Sequence, residues 1–268
     1  MITYTGIMKR ATSLGIVRKA ASTEIVRTVM ASSAIYYARR YGLKGLKAPF
    51  SLDRDFIAKT YIRGDGIEIG ALHAPLRVTK RAKVKYVDRM SVHELREQYP
   101  ELSVHKLVHV DIIDDGEQLK NIGDSTQDFV IANHFLEHCQ NPIGAISNML
   151  RVVKGDGIIY LAIPDKRYTF DVDRPVTTID HLLKDYEQGP EWSKRQHFEE
   201  WTRAVDKSQR DKEIARLIDI NYSIHYHVWA QTELLELMTF LKSRLGFQFD
   251  LELFFKTGNE AIFVLRKT

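Results

Sequence analysis

The sequence has a single cysteine, Cys139, in 268 residues. That excludes an internal disulfide framework and points to a reducing compartment. No stretch approaches the roughly 18 consecutive apolar residues of a membrane-spanning helix. There is no internal repeat and no low-complexity segment. Acids are nearly missing from the first fifty residues, where nine lysines and arginines face only Glu24. This segment carries +8, and the remainder of a chain at +4 is therefore at −4. No uninterrupted apolar core follows the basic residues, which argues against a secretory signal.

What is present is ordinary for a globular protein: 44% hydrophobic and 28% charged residues. The length suffices for one large domain, or one domain with elaborations. Pro49 marks a boundary, giving a basic arm over 1–50 and a main domain over 51–268. In the arm Val26, Met30, Ala34, Tyr37 and Tyr41 recur at helical spacing, so an amphipathic helix is expected. Its apolar stripe is expected to pack on the body or on a second copy in a homo-oligomer. Peripheral contact with an anionic membrane surface is the sharper alternative, and an organellar transit peptide is compatible with the composition. The expected location is cytoplasmic, with the membrane surface as the variant that the arm suggests.

From about residue 65 short apolar runs alternate with helical stretches, the pattern of βαβ units and a parallel sheet. A first strand ends at Gly66-Ile67-Glu68-Ile69-Gly70. A second, Val84–Val87, stops at Asp88, and a third, Leu107–Val110, stops at Asp111. A fourth, Asp128–Ala132, stops at Asn133-His134. A helix over 143–153 is expected to end at Lys154-Gly155-Asp156-Gly157, with glycine as its C-cap. A fifth strand, Ile158–Ile163, closes at Pro164. A last helix, 232–245, is expected to be capped by Thr232. It precedes a hairpin of Phe247–Phe255 and Ala261–Leu265. The expected fold is α/β, a doubly wound, mostly parallel seven-stranded sheet with a C-terminal antiparallel hairpin. An N-terminal helical arm and an insertion at about 165–229 are added to it. In such sheets ligands bind outside the carboxyl ends of the strands, so positions 68, 88, 111 and 133 should line one crevice.

The ordered set Glu68-Ile69-Gly70, Asp88, Asp111, Phe129 to His138 and Arg151-Val152-Val153-Lys154-Gly155-Asp156-Gly157 resembles class I S-adenosylmethionine-dependent methyltransferases. The likeness covers about 65–165 and 230–266. It implies adenosylmethionine as cofactor. It implies that the turn Gly70-Ala71-Leu72-His73, with a helix N-terminus behind it, receives the amino acid end. Glu68 would hold the ammonium group, directly or through water. Asp88, with Arg89 beside it, would hold the ribose hydroxyls. Asp111 would accept from the adenine amino group with Ile112 stacking, and Asn133 and His134 would lie near the methionine. The second glycine usual in this loop is missing. That argues against a nicotinamide cofactor, whose pyrophosphate needs the close approach glycines allow.

The segment 165–229 is expected to build the acceptor side. Asp165 follows the fifth strand, and His181, His197 and His227 are, with it, the candidate proton acceptors, histidine being the usual base at physiological pH. His225, His227 and Trp229 alternate, so an extended backbone would put them on one face. Asp165, Asp171 and Asp173 could offer oxygen ligands to a divalent ion such as Mg2+, a less favoured expectation. Lys166, Arg167 and Arg174 could hold an anionic acceptor. Aromatics, carboxylates and histidines together suit a sugar. The run His225-Tyr226-His227-Val228-Trp229 resembles methyltransferases of bacterial glycan synthesis. The expectation is O-methylation of a saccharide or glycan hydroxyl. The alternatives are a small metabolite or lipid-linked acceptor, an inactive methyltransferase-like partner, and a nucleic-acid enzyme or binder. The last is disfavoured because the body is acidic and no Asn-Pro-Pro-Tyr-like motif follows the fourth strand.

Overall fold

The computed structural model describes residues 53–206 and 211–268. The basic segment 1–50 and the helix expected in it lie outside the described residues. The chain divides into two compact units, Met1–Ile57 and Ala58–Thr268, and the second holds the sheet. Helix α1 (Arg54–Tyr61) leads into strand β1 (Gly64–Ile69), then β2 (Ala82–Asp88), α2 (Val92–Gln98), β3 (Ile112–Ile113) and β4 (Gln127–Asn133). Helix α3 (Pro142–Val152) precedes β5 (Val153–Pro164). Helices α4 (Ile179–Gln188), α5 (Glu191–Trp201) and α6 (Asp211–Asp219) come next, then α7 (Gln231–Ser243) and the hairpin β6 (Phe249–Thr257) and β7 (Glu260–Lys267).

The seven strands form one sheet in the order β3-β2-β1-β4-β5-β7-β6. Strands β1 to β5 pair in parallel, and β7 lies antiparallel to both β5 and β6. This is the expected doubly wound sheet with its closing hairpin. β4 and β5 are buried nearly throughout because helices cover both faces, so they read as continuous apolar runs rather than alternating ones. Helix α3 starts where Asn141 accepts from the Gly144 N–H and Pro142 takes the first helical position. It lays Ile143, Ile146, Met149 and Leu150 into the core. Arg151 then clamps the β3–β4 connection through the carbonyls of Gln118, Leu119 and Ile122 and the carboxylate of Asp124.

Four local expectations need correction. No helix joins β1 to β2; residues 70–81 are loop and turn. The Glu68 carboxylate accepts from the Leu76 N–H at 2.9 Å and folds this loop back, and Pro75 has no N–H to donate within a helix. The third strand is not Leu107–Val110 but Ile112–Ile113, so Asp111 precedes it rather than ending it. Asp111 pairs with Tyr86 through both its backbone N–H and its side chain, which places it on the outer edge of β2. Lys154 to Gly157 lie inside β5 rather than capping α3, because Lys154 is drawn across to Asp128 at 2.7 Å. Ala230, not Thr232, caps α7, and Glu233 accepts from its N–H at 3.1 Å.

Candidate active site

The strand order reverses between β1 and β4, the point at which doubly wound sheets bind ligands. β1 ends on Ile69 and is followed by Gly70, whose φ of +63° is the left-handed turn that glycine adopts without cost. Ala71 is not left-handed; the strain falls on Leu72 at φ +48°. Gly116 brings the loop after β3 over this edge, where a Cβ would come within 2.6 Å of Ile69 and 2.8 Å of Phe135. Ala71, Leu72, Asp88, Leu107 and Val108 line a cleft beside β1 and β2.

Of the expected cofactor residues, Glu68, Gly70, Ala71, Asp88, Asn133 and His134 are brought to one edge of the sheet. Glu68 is buried and spends its carboxylate on the Leu76 N–H and on Asn133 Nδ2 at 3.3 Å. This leaves Asn133 Oδ1 buried with no hydrogen-bond partner. Asp88 Oδ1 accepts from the Arg89 N–H at 2.8 Å, and burial raises the carboxyl above its ordinary range. A desolvated carboxylate with spare lone pairs favours incoming donors. His134, at φ +48°, sits between Glu260 at 2.9 Å and Glu137 at 3.6 Å. Arg89 turns away: its guanidinium bonds the Asn221 carbonyl and Tyr99. His73 is exposed and stacks on His105. Asp111 is exposed, and Ile112 pairs with Val87 in the parallel ladder. The carboxylate that does follow β3 is Asp114, which is buried and accepts from the Asn121 N–H at 2.7 Å.

The second half of the edge is built by 165–229. The stretch from Ser223 to Ala230 runs along the carboxyl ends of β4 and β5. Tyr226 N–H reaches the Glu137 carbonyl, and Trp229 bridges to Asp165. Asp165 is fully buried and bound by Arg167 through Nε at 2.9 Å and Nη2 at 2.6 Å. Burial pushes this carboxyl up, but the bonds from Arg167 outweigh it and hold it low. A carboxylate so engaged is a poor proton acceptor, so Asp165 is set aside as the base. His181, His197 and His227 come together around Asp185, with Nε2 of His181 and His197 3.1 Å apart. Burial lowers His197 to about 4 and His227 well below its ordinary value, so both are neutral near pH 7.

A separate chain of polar groups centres on His225. Its Nδ1 lies 2.6 Å from Asp171 Oδ2. Asp171 Oδ1 accepts from Arg174 Nη1 at 2.8 Å, and the same guanidinium reaches Glu200 and the His225 and Tyr226 carbonyls. Phe170, half exposed, lies 4.7 Å from the His225 ring. Glu137, buried with neither oxygen hydrogen-bonded, is pushed up by burial. Asp173 is exposed, and Asp165, Asp171 and Asp173 do not gather as an ion site among the described residues. The expected oxygen-ligand site is therefore corrected: two of its members are held by arginines instead. Sequence reading missed Asp185, Asp171 as the partner of His225, and Arg174 as their anchor. Asp185 was detectable as the carboxylate four residues after His181 on a helix.

The buried, unpartnered Asn133 Oδ1 and the desolvated Asp88 are suited to a ligand that brings an ammonium group and a pair of hydroxyls. Residues 66–161 match the family model of a methyltransferase domain. No curated protein matches the sequence. Among solved structures, a zinc-dependent alcohol dehydrogenase from Rhodobacter sphaeroides is 15% identical, with a TM-score of 0.49 over 82% of this chain and 90% of that one. A methyltransferase using S-adenosylmethionine from Thermotoga maritima is 16% identical, with a TM-score of 0.42 over 77% and 83%. Another from Methanosarcina mazei is 17% identical, with 0.41 over 81% and 99%. At such scores these likenesses carry no argument about activity. The family match and the sheet order agree: residues 66–161 form a methyltransferase domain on a doubly wound sheet, and S-adenosylmethionine is the cofactor that such a domain takes.

Proposed function

We propose that this methyltransferase domain methylates a hydroxyl of a saccharide, with His225 as the proton acceptor. S-adenosylmethionine supplies an electrophilic methyl group at the edge of the sheet. Asp88 accepts from the ribose hydroxyls. Glu68 and Asn133 shape the amino acid end, Asn133 Oδ1 taking an ammonium N–H directly. The Gly70 turn lets backbone approach that end.

The observation that carries the acceptor chemistry is the chain Arg174–Asp171–His225. Asp171 fixes the proton on Nδ1 of His225, which leaves Nε2 as the basic atom. A hydroxyl loses its proton as it attacks, so a positioned base helps it, whereas an amine or thiol needs less. Arg174 keeps Asp171 ionised, and with His225 it offsets the cost of burying that carboxylate, whose range is lowered by both. Half-exposed Phe170 lies against this histidine and offers a ring to a sugar, while half-exposed Tyr168, two residues before it, carries the Lys256 ammonium 4.3 Å over its ring. An acceptor screen with methyl-labelled cofactor tests the reading. Transfer to saccharide hydroxyls is expected. Transfer to protein or nucleic acid but to no sugar would overturn it.

A further inference from the structure

We propose that His181, Asp185, His197 and His227 form a structural zinc site that fastens α4 and α5 to the segment carrying His225. His181 and Asp185 stand four residues apart on one face of α4. His197 comes from α5, and His227 from the extended stretch before α7. One ligand atom from each lies within 4.8 Å of all the others. Nε2 of His181 is 3.1 Å from Nε2 of His197 and 3.2 Å from Asp185 Oδ2, and Nε2 of His227 is 3.7 Å from the same oxygen.

Two further observations point to an ion rather than to a self-sufficient hydrogen-bond cluster. Asp185 is completely buried, yet its Oδ2 has no hydrogen-bond partner, and the buried His227 has only a long contact of 3.3 Å from Nε2 to the Gln140 carbonyl. The other carboxylate oxygen is held by Ser193 Oγ at 3.0 Å, which turns Oδ2 toward the three imidazoles as an oriented ligand would be. Among the described residues no lysine or arginine pairs with the buried Asp185 carboxylate, whose ionisable neighbours are the imidazoles of His181 at 3.2 Å and His227 at 3.7 Å. The nearby Arg174 is spent on Asp171, Glu200 and two carbonyls. A divalent cation supplies the missing charge.

Three imidazoles and one carboxylate are a donor set for zinc, with bonds of about 2.0–2.2 Å. In a tetrahedron with such bonds neighbouring donors stand roughly 3.3 Å apart, which small side-chain movements reach from the observed spacings. All four positions come from the protein, so the site is closed and structural rather than catalytic. It is independent of which acceptor the enzyme methylates.

The test is elemental analysis of the full chain, expressed with zinc in the medium and freed of any affinity tag. About one zinc per chain is expected. His197→Gln and Asp185→Asn should each lower this severalfold, while His225→Gln should keep it. Because either variant can fail to fold, the wild-type protein is also stripped by chelator and titrated with Co2+. A tetrahedral visible spectrum, displaced by Zn2+, is expected. Failure of the stripped chain to bind Zn2+ or Co2+ overturns the site. So does an octahedral cobalt spectrum, or full zinc retention by a His197→Gln, His227→Gln double variant.

Discussion

The two halves of the sheet edge are made by different means. The half at β1, β2 and β4 is a consequence of the sheet: Glu68, Asp88 and Asn133 arrive together because their strands stop at one level. The half at 165–229 rests on buried polar chains instead. Arg174 ties Asp171, Glu200 and two backbone carbonyls, and three histidines from α4, α5 and the stretch before α7 meet at Asp185. The first half can lose the side chain of Asp88 and keep its shape. In the second, removing a polar partner leaves a buried charge alone, so chemistry and stability are entangled there.

This contrast can be broken or sharpened by experiment. His225→Gln should lower kcat by about 10²- to 10⁴-fold, the usual weight of a positioned base. It should leave S-adenosylmethionine affinity unchanged by calorimetry; a matching loss of affinity would show that the halves are not separable. Arg174→Met should cost about 3–5 kcal/mol in denaturant unfolding, because Asp171 then stays buried without its cation. A variant as stable as wild type would remove the distinction from the other side. The smallest effect concerns His138, which burial lowers to about 3 and whose Nδ1 faces the Ile224 carbonyl. It stays neutral in the fold while the unfolded chain takes up a proton below the ordinary value of 6.5. Stability is therefore lost as pH falls from that value toward the folded one. Between pH 7 and 5 the wild type should lose about 2 kcal/mol more than His138→Gln. Parallel pH profiles would contradict that burial.

The same contrast explains what the sequence made legible. Alternation and run length located β1, β2, β4, β5 and the hairpin to within a few residues, because a sheet buried on both faces imposes its pattern on the text. Asp88 and Asn133 came with them, since each lies at a strand end. The misplacement of Asp111 has the same root: Leu107 and Val110 are apolar because Leu107 packs on Leu95 and Leu102 and Val110 packs beside them, not because they form a ladder. The helix expected behind Gly70 failed for a different reason. One side-chain bond from Glu68 to Leu76 decides the loop, and no periodicity encodes it. In 165–229 the histidines were noticed, but their grouping was not, because long-range convergence of α4, α5 and the stretch before α7 leaves no local pattern. Only the pair His181 and Asp185, one helical turn apart, was readable.

Calorimetry of S-adenosylmethionine with the wild type and Asp88→Ala tests the central claim most directly. The wild type should bind, and the variant should bind about 10- to 100-fold more weakly, the loss of one or two hydrogen bonds to a charged acceptor. Its unfolding midpoint should not fall, since removing a desolvated carboxylate relieves a cost. Absence of binding to the wild type, or equal affinity in both, would contradict the placement of the cofactor at this edge.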